Sequence, residues 1–161
     1  MTFEELTTHI ENLLGAEAIL RIDEQCTPGA IELAPTDLLK HMEVLHADEQ
    51  LYFDQLSCIT GLDNGPEANS MEIIYQLYSI PFNHHLTIKV KLDREAPVVS
   101  SLSSVWKTAD WHEREAYDLL GIHFEGHPDL RRILLPADWE GHPLRKDYKH
   151  QEYYRGVKVA Y

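Results

Sequence analysis

The sequence predicts an α+β fold, in which a mostly antiparallel sheet of about four to five strands carries helices on one face, followed by an extended C-terminal tail. Apolar residues first recur at helical spacing and then alternate with polar residues at strand spacing over residues 71–92. A third helical pattern ends at Gly121, after which regular periodicity fades. Because 161 residues suffice for one substantial core, we expect a 1–124 α+β domain and a 125–161 extended partner-binding tail.

The first 69 residues predict two helices and three strands. Thr2 and Glu5 form a capping-box pattern ahead of the first helix, because the Thr hydroxyl and the Glu carboxylate can each accept a free backbone N–H. The predicted segments are, in order, a helix that Gly15 ends, strands at 18–22 and 30–33, a helix opened by Pro35-Thr36-Asp37, a strand at 52–59 and a polar loop at 61–69.

Residues 71–121 give the strongest local patterns. Strands at Met71–Ser79 and Leu86–Leu92 alternate apolar with polar residues, and the short connection over 80–84 joins them as a hairpin. A helical turn at 100–106 precedes a helix at Ala109–Leu120. That helix is bounded by Thr108 as its N-cap and by Gly121 just after its last residue, and a short strand at Ile122–Phe124 follows.

Charge and cysteine content exclude several classes of protein. The net charge of −13 opposes binding to nucleic acid, whose phosphates would repel the chain. Residues 1–120 hold 21 acidic and seven basic side chains, whereas 121–161 hold six and seven, so the tail differs chemically from the body. Cys26 and Cys58 fit neither a disulfide framework nor an iron–sulfur ligand set. No signal peptide or bilayer-spanning run is recognisable, so membrane contact is expected only through partners.

The third helix carries the residues that could support chemistry. His112, Glu113 and Glu115 could bind a metal or transfer protons, which leaves a stand-alone metal-dependent enzyme as an alternative function. The spacing does not favour this, because no HExxH motif occurs and residues two apart point to different sides of a helix. Arg114 and Asp118, four residues apart, are expected to form a surface ion pair.

The tail has the composition of an interface, although packing on its own domain is an equally open alternative. Trp139 and Tyr148 belong to the residue types that anchor protein contacts. Arg131, Arg132 and Arg145 are expected either to meet a partner or to pair internally with Glu113 and Glu115. His127-Pro128 and His142-Pro143 are predicted as turns rather than ligand pairs.

Three ordered blocks resemble the 30-kDa subunit family of respiratory complex I, known in bacteria as the C-type subunit of NADH–quinone oxidoreductase. The blocks are ERExYDLLGI at 113–122 (with Ala at the variable position), HPDLRRIL at 127–134 and GHPLRKDY at 141–148. We expect the signature residues to lie at the partner interface: Glu113, Arg114, Glu115, Asp118, Gly121, His127, Pro128, Arg131, Arg132, Gly141, His142, Pro143, Arg145, Lys146 and Asp147.

The resemblance implies a subunit that carries no catalytic centre, metal or cofactor of its own. Members of the family accompany partner subunits that hold FMN and iron–sulfur clusters. They pack beside the quinone-pocket subunit, the D-type subunit that forms most of the quinone site. The resemblance implies a position on the cytoplasmic side of the inner membrane. Because the sequence ends at Tyr161, we expect no fusion to the quinone-pocket subunit, although some members of the family are fused to it. A related membrane-bound hydrogenase or a photosynthetic-type complex with another electron donor is the alternative within the same family.

Overall fold

The computed structural model describes residues 1–159 and confirms an α+β fold with a mostly antiparallel sheet. The last two residues of the predicted tail lie outside this range. The helices are α1 (Phe3–Leu14), α2 (Leu38–Ala47) and α3 (Ala109–Leu120) in this part of the chain. The main sheet contains β1 (Ile19–Asp23), β2 (Ala30–Leu33), β3 (Gln55–Asp63), β4 (Ser70–Ser79) and β5 (His84–Asp93). Two short pairs stand apart from it, β6 (Val98–Ser100) with β7 (His123–Glu125) and β8 (Tyr153–Tyr154) with β9 (Val157–Lys158).

The main sheet has the strand order β1-β2-β5-β4-β3. β1 and β2 pair antiparallel at one edge, and β3, β4 and β5 form an antiparallel meander at the other. The two parts meet at a parallel junction between β2 and β5, where Ala30 lies opposite Thr87 and Leu33 opposite Val90. The last of the five strands in sequence therefore occupies the centre of the sheet.

The helices cover one face of the sheet, as predicted, because alternate strand residues put their apolar side chains on that face. These side chains are buried in one core cluster with Leu6 and Ile10 of α1 and Met42 of α2: Met71, Ile73, Tyr75, Leu77, Leu86, Ile88, Val90 and Leu92. The intervening residues of β4 and β5, such as Glu72 and Lys91, remain at least partly exposed on the other face, except for Thr87, which is buried.

The predicted helix boundaries at Thr2 and Gly121 are confirmed in detail. Thr2 and Glu5 form both bonds of a capping box, at 2.8 and 3.2 Å. Gly121 ends α3 in the left-handed conformation, with φ of 77°, and its N–H donates to the carbonyl of Tyr117. Thr108 occupies the predicted N-cap position of α3, but its side chain does not cap the helix, because its hydroxyl donates to the carbonyl of Leu56 on β3 at 3.0 Å and so ties the helix to the sheet.

β3 differs most from its prediction, beginning three residues later and ending four residues later. Residues 52–54 form the connection after α2, where Tyr52 has a φ of 38° and the Phe53 N–H donates to Leu45. The strand then continues through Gly61 to Asp63, because α3 packs closely against it there, and the polar loop starts only at Asn64. β1 and β7 each begin and end one residue later than predicted. The helical turn predicted at 100–106 is present, and the Trp106 N–H donates to the Leu102 carbonyl.

Gly61 should be sensitive to substitution, because it lies directly beneath α3. A Cβ atom at this position would approach Leu120 Cδ1 to 2.4 Å. We expect Gly61→Ala to lower the free energy of unfolding by about 1–3 kcal/mol through overpacking, measured by urea denaturation. The Gly61→Ala/Leu120→Ala double variant should lose less free energy of unfolding than the two single variants lose together, because the smaller side chain at position 120 makes room for the new methyl group. Fully additive costs would contradict the close contact.

Candidate functional site

The signature residues converge where the tail crosses α3, a region that we call the junction. α3 supplies the first block, and the segment 127–148 runs along the helix from Asp110 near its start to Leu120 at its end, then reaches the loop that follows β3. The geometry of this region depends on buried polar groups, each of which requires a hydrogen-bond partner. Within residues 1–159, no group of three or more His, Cys, Asp or Glu side chains could hold a metal, and no helix is both long and apolar enough to cross a bilayer.

Asp118 is the centre of this junction and is fully buried. Its Oδ2 accepts the backbone N–H groups of Ile133, Leu134 and Leu135 at 3.0, 2.8 and 2.9 Å. Its Oδ1 accepts Arg132 Nη1 at 2.7 Å. Burial alone would raise the pKa of Asp118, but the hydrogen bonds from Leu135 and Arg132, joined by those from the neighbouring amides, outweigh it and lower the pKa. Asp118 is therefore an ionised anchor for the tail.

Arg132 extends the anchor to the next part of the tail. Its Nη2 donates to the carbonyls of Trp139 and Gly141 at 2.9 and 3.0 Å, while Nη1 is bound to Asp118. The predicted surface pair between Arg114 and Asp118 is wrong, because Asp118 points inward to the tail. Arg114 instead donates to the carbonyls of Arg131 and Arg132, at 3.2 and 3.1 Å.

The two His-Pro turns bind opposite ends of α3. His127 Nδ1 accepts the Asp129 N–H, so Nε2 carries the hydrogen that it donates to the Asp110 carbonyl at 3.0 Å. His142 Nδ1 lies 2.9 Å from the Asp118 carbonyl, and its ring packs against Gly121, where a Cβ atom would come within 2.7 Å. Both imidazoles thus serve as turn-to-helix contacts.

Glu113 and Glu115 have different environments, so they do not converge with His112 on a common metal position. Glu113 is fully buried and accepts Ser101 Oγ at 2.6 Å and the Leu102 N–H at 2.7 Å. Its Oε2 also lies 3.9 Å from His127 Nε2. Burial raises the pKa of Glu113 to about 7, despite these bonds. Glu115 is exposed on the outer face of the helix.

The third block fixes the end of the junction to the sheet. Arg94 makes a bidentate pair with buried Asp63, at 2.7 and 2.9 Å, and also binds Asp147 at 2.6 Å. Asp63 Oδ2 accepts the Lys146 N–H at 2.8 Å, and the paired Arg94 holds the pKa of Asp63 well below its usual range. Asp63 and Arg94 were not predicted from the sequence, since they lie at strand ends 31 positions apart and belong to no local motif.

The three arginines of the tail have three different environments. Arg131 is 71% exposed and pairs with Asp129, itself 57% exposed. Arg132 binds buried Asp118, so the internal pairing considered for the arginines does occur, but with Asp118 rather than with Glu113 or Glu115. Arg145 Nε donates to the Leu120 carbonyl at 2.7 Å, and no carboxylate of residues 1–159 lies within 4 Å of its guanidinium. The expected interface role of the signature residues stays a prediction.

Comparison with protein families identifies one match over most of the chain. The family described as "Respiratory-chain NADH dehydrogenase, 30 Kd subunit" matches residues 31–154. This region includes the main sheet from β2 onward, α3 and all three signature blocks.

Curated relatives carry the name of the C-type subunit of NADH-quinone oxidoreductase. The protein from Chloroherpeton thalassium is 51% identical over 118 residues, which cover 73% of this chain but 48% of the relative. The chain therefore spans about half the length of that relative. The protein from Chlorobium phaeobacteroides is 43% identical over 147 residues, covering 90% of this chain and 88% of the relative.

Two solved structures share the fold. The trypsin-resistant fragment (1–134) of Nqo5 superposes with a TM-score of 0.66 at 27% identity, covering 81% of this chain and all of the fragment. A chain of an archaeal membrane-bound sulfane sulfur reductase superposes with a TM-score of 0.75, covering 92% of this chain and 86% of that chain. At 18% identity, the second likeness concerns the fold alone.

Proposed function

Since this chain belongs to the 30-kDa subunit family of respiratory-chain NADH dehydrogenase, we propose that it is a structural subunit in the peripheral arm of a proton-translocating NADH–quinone oxidoreductase. It packs beside the quinone-pocket subunit on the cytoplasmic side of the inner membrane. Partner subunits carry electrons from NADH through FMN and iron–sulfur centres to quinone, and this chain holds no cofactor and performs no chemical step.

The burial of three signature side chains, those of Glu113, Asp118 and His127, is the observation that supports a structural role. Glu113, Asp118 and His127 are the groups best suited to proton transfer, yet their side chains are buried and engaged with their own chain. A catalytic acid or base must instead reach a substrate proton within hydrogen-bonding distance. The signature therefore serves to hold the tail in one path across α3, which gives partner subunits a fixed surface.

Copurification tests the proposal directly. The chain, tagged in its native host and extracted in mild detergent, should bring with it subunits that contain flavin and iron–sulfur clusters, together with NADH–quinone activity. The isolated chain should be colourless and free of stoichiometric metal. A flavin or metal bound to the isolated chain would contradict the cofactor-free role, and copurification with hydrogenase subunits would favour the other complex type within the family.

Arg145 should contribute to assembly, because its terminal guanidinium N–H groups have no acceptor among residues 1–159 and can bind a partner carboxylate while Nε is fixed to Leu120. We expect Arg145→Ala to lower the yield of assembled complex and its NADH–quinone activity about tenfold, as for one lost charged hydrogen bond. Arg145→Lys should restore only part of the yield and activity, since an ammonium group cannot form a bidentate pair with a carboxylate.

The control for this variant is the isolated chain, whose free energy of unfolding should fall by no more than about 1.5–3 kcal/mol, the range for the one charged hydrogen bond lost to the Leu120 carbonyl. A larger loss of stability would mean that Arg145 acts by stabilising its own domain instead. Full assembly and activity of a variant with Arg131, Arg132 and Arg145 all replaced by Ala would refute an interface role for the tail arginines.

A further inference from the structure

An apolar groove runs along the exposed side of α3 and into the space between α3 and β3. One part, of about 500 Å³, is lined by Lys107, Trp111, His112, Glu115 and Leu134 among others. A second part, of about 300 Å³, lies between α3 and β3 and is also lined by His112 and Glu115, with Leu144 from the tail. Because the two parts share residues, they form one continuous surface, which we call the α3 groove.

Three large apolar side chains of the groove face solvent. Trp111 is 70% exposed, Leu134 62% and Leu144 58%, and they come from the helix and from two separate parts of the tail. They lie together only because Asp118 and Arg132 hold the tail against the helix. Clustered exposed apolar side chains on a rigid support, and an exposed Trp above all, are typical of contact sites between proteins.

The charges beside Trp111 indicate the kind of surface that fits. Lys107 precedes it by about one helical turn, just ahead of α3, and Arg114 follows it by about one turn on α3. Neither cation has a carboxylate within 4 Å among residues 1–159, in a protein whose net charge is −13. The two tail carbonyls that accept from Arg114 do not neutralise its charge, and Glu115, which also lines the groove, lies more than 4 Å from both cations, so the pair complements carboxylates supplied from outside.

We propose that the α3 groove is the docking site for a segment of a neighbouring subunit, in which one or two large apolar side chains are flanked by Asp or Glu. The apolar side chains fill the groove beside Trp111 and Leu134, and the carboxylates meet Lys107 and Arg114. This inference rests on the proposed function, because it requires the chain to be part of a multisubunit complex.

A second copy of this chain fits the groove less well. Residues 1–120 carry three times as many acidic as basic side chains, so the two copies would repel each other over most of their surfaces. A membrane surface also fits less well, because its insertion would bring the exposed Glu115 toward lipid together with Trp111. A partner segment satisfies both the apolar side chains and the two cations.

Photocrosslinking in the intact complex tests the proposal. Full-length chain with p-benzoylphenylalanine in place of Trp111, and separately in place of Leu134, is expressed in the native host, irradiated and purified with its complex. Both positions should crosslink to the same peptide of another subunit, and that peptide should contain an apolar residue next to Asp or Glu. The matched control position is Leu20, which is 59% exposed on the edge strand β1 and should not crosslink to this peptide.

Other outcomes separate the two hypotheses. Crosslinking to a second copy or only to lipid, or no crosslink within an otherwise assembled complex, would overturn the groove as a docking site while leaving the structural-subunit role intact. A chain that copurifies with no other subunit would overturn both.

Substitutions provide an independent measurement. Trp111→Ala should lower the yield of assembled complex roughly tenfold or more, as expected for a central interface anchor, whereas Leu20→Ala should leave it unchanged. Lys107→Glu should weaken assembly most at low salt, since the opposite charge would repel the partner carboxylates. An unchanged yield for both groove variants would overturn the proposal.

Discussion

Asp118→Ala should release the tail from α3 and lower the free energy of unfolding by about 3–5 kcal/mol. The substitution leaves the N–H groups of residues 133–135 without their shared acceptor and Arg132 without its carboxylate. Urea denaturation gives the free energy. Limited proteolysis of the isolated chain should show new cleavage within 129–148, because the segment loses its anchor.

Asp129→Ala is the matched control, since it removes an aspartate that pairs with a tail arginine at the surface. Asp129 and Arg131 are 57% and 71% exposed, so their pair should contribute less than about 1 kcal/mol. If Asp118→Ala proved as mild as Asp129→Ala, the junction would not depend on the buried carboxylate. The same digestion of the wild-type chain measures whether the tail needs a partner in order to be ordered.

Glu113 should make the stability of the protein fall with rising pH. Its pKa is about 7 in the folded chain and close to its ordinary value of 4.5 when unfolded. Between these values the folded state binds the proton and the unfolded state does not, so this contribution is fully present below pH 4.5 and is lost as pH rises through 7. Relative to Glu113→Gln, the wild type should lose on the order of 2–3 kcal/mol over this range.

The comparison is made by urea denaturation of both proteins at several pH values, so that other titrating groups cancel in the difference. Gln can retain both contacts, accepting the Leu102 N–H and donating to Ser101 Oγ. Glu115→Gln, on the exposed side of the same helix, should follow the wild-type pH profile. A constant difference between wild type and Glu113→Gln from pH 4.5 to about 7 would contradict a raised pKa.

Local signals were sufficient to predict much of the fold. The capping box at Thr2 and Glu5 and the stop at Gly121 each depend on residues within one helical turn, so their sequence patterns carried complete information. Alternation over 71–92 likewise placed the two longest strands. The parallel pair of β6 and β7 was not predicted, because three-residue strands 25 positions apart have no periodicity to detect.

The sequence predicted which residues form the site but not which of them contact one another. The blocks correctly indicated that charged residues of α3 and the tail act together, yet the sequence does not say which carboxylate faces inward. Glu113, Glu115 and Asp118 look equivalent on one helix, and only the path of the tail makes Asp118 the acceptor for Arg132. Long-range pairs such as Asp63 with Arg94 depend on strand order, which no local pattern specifies.

The central position of β5 has a consequence for synthesis on the ribosome. β2 has only β1 beside it until its second partner emerges 57 residues later, since Ala30 pairs with Thr87, and β4 has only β3 beside it until β5 emerges. Until then, the nascent chain carries two separate hairpin-like units, each with an unpaired apolar edge. Closing such a long loop is entropically costly and slow, so this interval is when the growing chain is most exposed to aggregation and most in need of a chaperone.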